Sequence, residues 1–505
     1  MKLSTAAIFS EDMVLQSGKP LPVWGQGTPG AAVRCALAPA AGGQGVQADT
    51  TVGQDGQWRL TLPALPAGGP FTMTVESGAE RCAFPDVWLG EVWLAGGQSN
   101  MELELQNSRD GAQALAACAN PRLHFYAVPK VTTGADADAA EQSARWRVVG
   151  PQTAAAMSAV AYYAARTLAR HLDNLHIGVI CCYWGGTFAH CWLPRTELQN
   201  FPEGRARIAE YDARMGDKTE EQFAAECAAY QKEVDAWNDR IDARRAADPA
   251  VSWATLNAEC GVFPWPPPAG RTGYQRPGNL YASMLRRVCP YALRGFWYYQ
   301  GEQDEEHAGD YRALLTRLVR RWRADWGDRA LPFLVVQLPM YGSEFDWPAL
   351  RAAQSAVVHH EPNMALAVLT DCGEEDNIHP TDKQTPGTRL GLLTMQTVYH
   401  APVQGLAPEM TCVDFAGSRA LIRFANAAGG LRLAGQGRGF ELAGRDGVFH
   451  PARAEILAPD TVRLHCSAVL HPVAVRYAWH SFGPAELFGG TGLAAAPLCY
   501  PTIYQ

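Results

Sequence analysis

Between about residues 87 and 400, short apolar runs alternate with longer amphipathic ones, and no other feature of the sequence constrains the fold as much. The strand-like runs are 91–95, 176–183, 295–299, 332–338 and 364–370, and helix-like segments lie between them at 154–172, 311–326 and 348–358. Apolar runs of strand length separated by helices predict parallel pairing, with helices covering the sheet in a three-layer α/β domain. Chemistry in such sheets gathers at the carboxyl ends of the strands.

The flanks follow a different pattern. Residues 1–86 consist of short alternating stretches such as Leu21-Pro22-Val23-Trp24-Gly25 and Trp58-Arg59-Leu60-Thr61-Leu62, cut by Gly, Pro and Asp turns. They predict an N-terminal β-sandwich domain. From 402 to 505 the helices stop and strand-like runs return, at 419–424, 461–465 and 473–479, which predicts a second β-sandwich. Residues 196–280 interrupt the α/β segment 87–401. There Phe223, Cys227, Tyr230, Val234, Trp237 and Ile241 mark one long amphipathic helix, followed by the stiff Phe263-Pro264-Trp265-Pro266-Pro267-Pro268 loop. This segment is expected to be an insertion beside the site.

With 505 residues, two or three domains are expected, and 19% charged against 47% hydrophobic residues is a globular balance. A net charge of -8 argues against nucleic-acid or anionic-membrane binding, both of which need clustered Lys and Arg. Thirteen scattered cysteines predict reduced thiols rather than a disulfide scaffold. The apolar run at residues 6–9 is too short for a secretory or membrane segment, which predicts a cytoplasmic location.

Ser99 follows a strand-like run and a glycine pair in Ala95-Gly96-Gly97-Gln98-Ser99-Asn100-Met101. Two glycines permit a tight turn, and the helix start offers backbone N–H groups to an anionic oxygen. A serine in that position also suits an ordinary helix N-cap. To become a nucleophile near neutral pH it needs a base, usually a histidine oriented by a carboxylate. Asp376-Asn377-Ile378-His379-Pro380 supplies both just after a strand, and its three-residue spacing predicts that Asp376 curls back onto Nδ1 of His379. Glycines recur at a third strand end, Tyr183-Trp184-Gly185-Gly186-Thr187, and a fourth carries Gln300-Gly301-Glu302-Gln303-Asp304. Trp184, Tyr183 and Trp265 are candidates to stack on sugar faces.

Taken in order, these four blocks resemble the SGNH hydrolases, and more closely the sialate O-acetylesterase-like family of carbohydrate acetylesterases. The likeness also covers Phe9-Ser10-Glu11-Asp12-Met13-Val14-Leu15-Gln16 and Pro22-Val23-Trp24-Gly25 near the start, and Gly439-Phe440, Ala443-Gly444 and Gly492-Leu493 near the end. The resemblance implies a flavodoxin-like α/β hydrolase core with Ser99 as nucleophile, His379 as base and Asp376 as its acid. It also implies an oxyanion hole from the N–H groups of Ser99 and Gly186, with Gln98, Gln300 and Glu302 orienting the substrate. The implied partner is an acetylated mono- or oligosaccharide. No His-Glu-x-x-His run, zinc-like Cys/His array or phosphate loop is present, so no metal or organic cofactor is expected.

The sequence departs from the family at two places. Gln303-Asp304 stands where many relatives carry Ser-Asn, and a carboxylate cannot donate as an amide does. His190 stands where relatives often carry an acidic residue, which makes it a candidate for contact with the sugar. Glu302 competes with Asp376 as the acid partner of His379. Carboxylates between Glu302 and Glu306 also leave open a glycoside hydrolase, and the β domains leave open a non-catalytic carbohydrate-binding protein.

Overall fold

The computed structural model describes residues 2–134, 136–248 and 251–501. Among the described residues the main path of its central sheet runs through seven strands: β1 (Glu80–Gly97), β2 (Asn120–Ala127), β3 (Trp146–Val149), β4 (Ile177–Tyr183), β5 (Gly295–Tyr299), β6 (Phe333–Val336) and β7 (Met364–Ala367). They lie in the order β3-β2-β4-β1-β5-β6-β7, with every pair parallel except β3 with β2. β4, β5 and β6 are buried along their whole length, as apolar runs covered on both faces require.

The principal helices are α1 (Ala159–His171), α2 (Glu220–Ala247), α3 (Ala308–Asp325), α4 (Trp347–His360) and α5 (Gln384–Thr397). Successive side chains of a strand point to opposite faces, so β5 shows how they are distributed. Trp297 donates its indole N–H to Thr394 of α5 at 3.1 Å. Its neighbours Phe296 and Tyr298 bring their rings within 5.5 and 5.7 Å of Trp322 on α3, on the other face. α1 lies against α5, where a Cβ on Gly387 or Gly391 would come within 2.6 or 2.5 Å of α1 atoms, so these two glycines set the helix spacing.

The β-rich N-terminal part does not end where composition predicts. β1 is an 18-residue strand whose first half pairs antiparallel with Gly68–Ser77 and whose last residues form the middle of the central sheet. The expected 86/87 boundary therefore falls inside a continuous strand. One apolar cluster runs from Leu3 to Met395, joining the two parts. The C-terminal strands, from Glu409–Ala416 to Leu498–Tyr500, have a separate cluster. They dock on α4, where the buried Arg351 donates to the carbonyl of Ala478 at 3.0 Å. Tyr341 N–H donates to the carbonyl of Ser481 at 2.9 Å in the same region. No helix among the described residues is long and apolar enough to cross a membrane.

Register explains why the site forms. Gly97 lies between Tyr183 on β4 and Tyr299 on β5, so three strands end in one row. Gly97 has φ +138°, and a Cβ there would lie 2.0 Å from the carbonyl oxygen of Tyr299. No larger residue fits so close to β5 in that conformation.

Candidate active site

Beyond this row of strand ends, the chain enters three loops. Ser99 begins the helical turn Ser99–Glu102, immediately after β1. His379 lies in the loop between β7 and α5, and its Nε2 is 2.7 Å from the Ser99 hydroxyl oxygen, which is hydrogen-bond distance for a base and its nucleophile. Two residues 280 positions apart meet because parallel strands deliver both to the same edge.

Gly185 and Gly186 follow β4 and lie against Ser99: a Cβ on Gly185 would sit 3.3 Å from that of Ser99. The turn is fixed by Glu102, one helical turn beyond Ser99, whose carboxylate accepts the Gly185 N–H at 2.6 Å and pairs with Lys130. Among the described residues the N–H groups of Ser99 and Gly186 have no hydrogen-bond acceptor, so both are free to donate to an oxyanion. Gly186 has φ +66°, and the ring of Trp265 covers it so closely that a Cβ would lie 2.6 Å from the indole. Trp265 is 43% exposed and can meet a ligand. Trp184 stacks on Tyr274 at 5.1 Å with rings 5° from parallel, forming an aromatic wall beside the same turn.

The insertion delivers Trp265. On α2, Tyr230 donates to the carbonyl of Pro264 at 2.9 Å and Trp237 donates to that of Gly261 at 2.7 Å, so the apolar stripe of this helix anchors the Pro-rich loop.

Four expected roles need correction. Asp376 is exposed and, among the described residues, makes no hydrogen bond to His379. Asn377 fills the inside of the turn instead: its side chain accepts the His379 N–H at 3.0 Å, and donates to the His379 carbonyl and to Glu374, each at 3.0 Å. Curling that one residue inward turns its predecessor outward. Gln300 is fully buried and wholly engaged, donating to Thr187 and Asp304 and accepting from Tyr298 and Tyr311, so it braces strand ends rather than facing a substrate. His190 is buried and stacked on Phe188 at 4.7 Å, and burial pushes its pKa down to about 3, so a neutral packed ring replaces the expected sugar contact. Gln98 is also buried; its side-chain oxygen accepts from Gly301 and Gln303, tying the turn that carries Ser99 to the end of β5.

Glu302 is buried and does not touch His379 either. One of its oxygens accepts from Asn100 at 2.6 Å; the other has no partner among the described residues, and burial raises its pKa to about 6. Asp304 occupies the departing position as another brace, accepting from Ala189 N–H at 2.9 Å and Gln300 at 2.6 Å. Burial raises its pKa to about 6 as well. Asn100, Glu102, Asn377 and Lys383 were missed as contributors by sequence reasoning. The first two sit next to Ser99 and one turn beyond it, and that proximity was the available signal.

His379 has an exposed edge, yet crowding by the surrounding loops, with the Lys383 charge adding to it, holds its pKa below the ordinary histidine value. The imidazole is therefore neutral and able to accept a proton at pH 7.

A family model described as "Carbohydrate esterase, sialic acid-specific acetylesterase" matches residues 269–396, which hold Glu302 and His379 and leave Ser99 upstream. The chain is 26% identical to the sialate O-acetylesterase of Mus musculus, over 92% of this chain and 86% of that one. Against the sialate O-acetylesterase of Homo sapiens the figures are 24%, 80% and 73%. A crystal structure of a carbohydrate acetylesterase from Xanthomonas citri superposes with a TM-score of 0.76 at 28% identity, covering 98% of this chain and 99% of that one. Along most of its length the chain is similar to the sialate O-acetylesterase-like carbohydrate esterases. It is a carboxylic ester hydrolase, and it shares with the Xanthomonas structure an arrangement that extends through both β-rich ends.

Proposed function

We propose that the chain is a serine carbohydrate O-acetylesterase that removes acetyl groups from acetylated sugars through an acetyl-enzyme. The observation that carries this reading is the 2.7 Å approach of His379 Nε2 to the Ser99 hydroxyl, beside two uncommitted backbone N–H groups. His379 takes the Ser99 proton as the oxygen attacks the acetyl carbonyl, and the N–H groups of Ser99 and Gly186 hold the resulting oxyanion. On collapse the C–O bond to the sugar breaks, and the imidazolium returns its proton to the leaving sugar oxygen. Water, deprotonated by the same imidazole, then attacks the acetyl-serine and releases acetate. No step draws on a metal or organic cofactor.

In this reading residues 87–401 hold an SGNH, flavodoxin-like hydrolase core flanked by β-sandwich domains at 1–86 and 402–505, with β1 running through the first boundary. Trp265 and Trp184 form the sugar-binding wall. The substrate class is O-acetylated sialic acid or plant-type oligosaccharide. Asp376 makes no hydrogen bond to the imidazole among the described residues, and the charge that acts on His379 is that of Lys383. The glycoside hydrolase alternative has less support, because Glu302 and Asp304 are both buried and tied to scaffold groups. Ser99→Ala tests the proposal: the variant folds but releases no acetate from an aryl acetate or an acetylated saccharide. Full activity in it would remove the serine mechanism.

A further inference from the structure

Lys383 is placed where both burial and helix electrostatics oppose a positive charge. It is 1% exposed and occupies the N-cap of α5, beside the positive end of that helix. A local violation of two rules in one residue points to a functional constraint. The compensation lies in a buried chain. The Lys383 ammonium donates to Asn100 Oδ1 at 2.5 Å, and Asn100 Nδ2 donates to Glu302 at 2.6 Å and to the carbonyl of Ile378 at 2.9 Å. The Asn100 amide thus uses both hydrogens and its oxygen, in the only orientation that sets a donor to the carboxylate and an acceptor to the ammonium.

We propose that Lys383 and Glu302, acting through Asn100, are positioning residues that clamp the loop carrying His379 against the turn carrying Ser99. The proposal rests on Ser99 and His379 being the catalytic pair. Asn100 directly follows the nucleophile and Ile378 directly precedes the base, so the 2.9 Å hydrogen bond between them links the two backbones at the reacting groups. A serine–histidine pair usually obtains its geometry from a carboxylate on Nδ1. Here no such hydrogen bond exists among the described residues, and the clamp supplies the constraint from the other side.

Charge supports the same assignment. The groups facing Lys383 are Glu302, Asp382, Glu374 and the thiol of Cys372, and the Tyr299 ring lies 5.8 Å from the ammonium. Burial lowers the Lys383 pKa to about 7 while the carboxylates oppose that fall. The charged group that faces His379 is Lys383 itself, and it favours the neutral imidazole.

The test is Lys383→Met, which nearly conserves length and volume, assayed on an aryl acetate across pH after thermal melting confirms folding. The clamp predicts that kcat falls about 100-fold, the scale of a misplacement near 1 Å, with KM changed by less than about threefold. It also predicts that the acid limb of kcat/KM moves to higher pH, because the charge that disfavours imidazolium is gone. Lys383→Arg keeps the charge and leaves that limb in place. If Lys383→Met does not fold, Asn100→Asp, which keeps the acceptor for Lys383 and loses the donors to Glu302 and Ile378, must show the same loss in kcat. Wild-type kcat in a folded Lys383→Met or Asn100→Asp variant, with Ser99→Ala inactive, overturns the clamp alone. Activity surviving in Ser99→Ala overturns the catalytic pair on which it rests.

Discussion

Asn100 donates a hydrogen bond to the carbonyl of Ile378 at 2.9 Å, so the residue after Ser99 holds the residue before His379. The two segments come from opposite ends of the catalytic region and are joined by one amide, behind the 2.7 Å contact between Ser99 and His379.

This arrangement makes a definite prediction for Asp376. In triads whose acid is hydrogen-bonded to the histidine, removing that acid lowers kcat by roughly 10⁴-fold. Asp376 is exposed and has no such bond among the described residues, so Asp376→Ala lowers kcat less than about tenfold. Steady-state kinetics on an aryl acetate decides it. A loss of a thousandfold or more would show that the turn at Asn377 inverts during catalysis.

The pH profile is expected to be unusual at its acid end. His379 is held down to about 4 by desolvation and by Lys383. A depressed pKa means that the neutral, proton-accepting imidazole persists as pH falls, so kcat/KM stays flat through neutrality and drops only as pH approaches that value. An acid limb at or above the ordinary histidine pKa, near 6.5, would contradict this assignment of the environment.

Trp265 gives a prediction that separates binding from chemistry. Its ring covers Gly186 and is 43% exposed, so Trp265→Ala removes a stacking surface without touching Ser99 or His379. For an acetylated oligosaccharide kcat/KM falls roughly 3- to 10-fold, the size of a 0.5–1.5 kcal/mol aromatic contact, and most of the change appears in KM. With a small aryl acetate the change is smaller. Equal losses on both substrates would place Trp265 in the architecture of the oxyanion turn rather than in sugar binding.

The parallel core was legible because strands buried on both faces read as unbroken apolar runs. β4 and β5 match the expected spans within a residue, and Ser99, Gly186 and His379 follow from their places after strand ends. β2 and β3 were not foreseen: residues 120–124 of β2 read Asn-Pro-Arg-Leu-His, a mixed pattern in a strand that pairs antiparallel with the short edge strand β3. The Asp376 role failed for a different reason. Sequence spacing gives the reach of a side chain in a turn but not which of two neighbours curls inward, and here Asn377 satisfies more backbone groups than Asp376 can, since an amide both donates and accepts. Gln300 looked like a site residue because it follows the end of β5, and His190 because it stands where relatives often carry an acidic residue, yet both are packed into the interior. The Lys383 contribution rests on three-dimensional closure between Asn100 and Glu302, 202 positions apart, which no local pattern carries.

The central claim is that Ser99 carries the acetyl group between the two halves of the reaction. Rapid acid quench of the enzyme turning over an aryl acetate, followed by peptide mass spectrometry, reads this directly. The account predicts one acetyl group on the peptide containing Ser99, absent in Ser99→Ala and accumulating in a variant slowed in deacylation. Acetate release at the wild-type rate with that peptide never acetylated, or with the acetyl group on another residue, would contradict it.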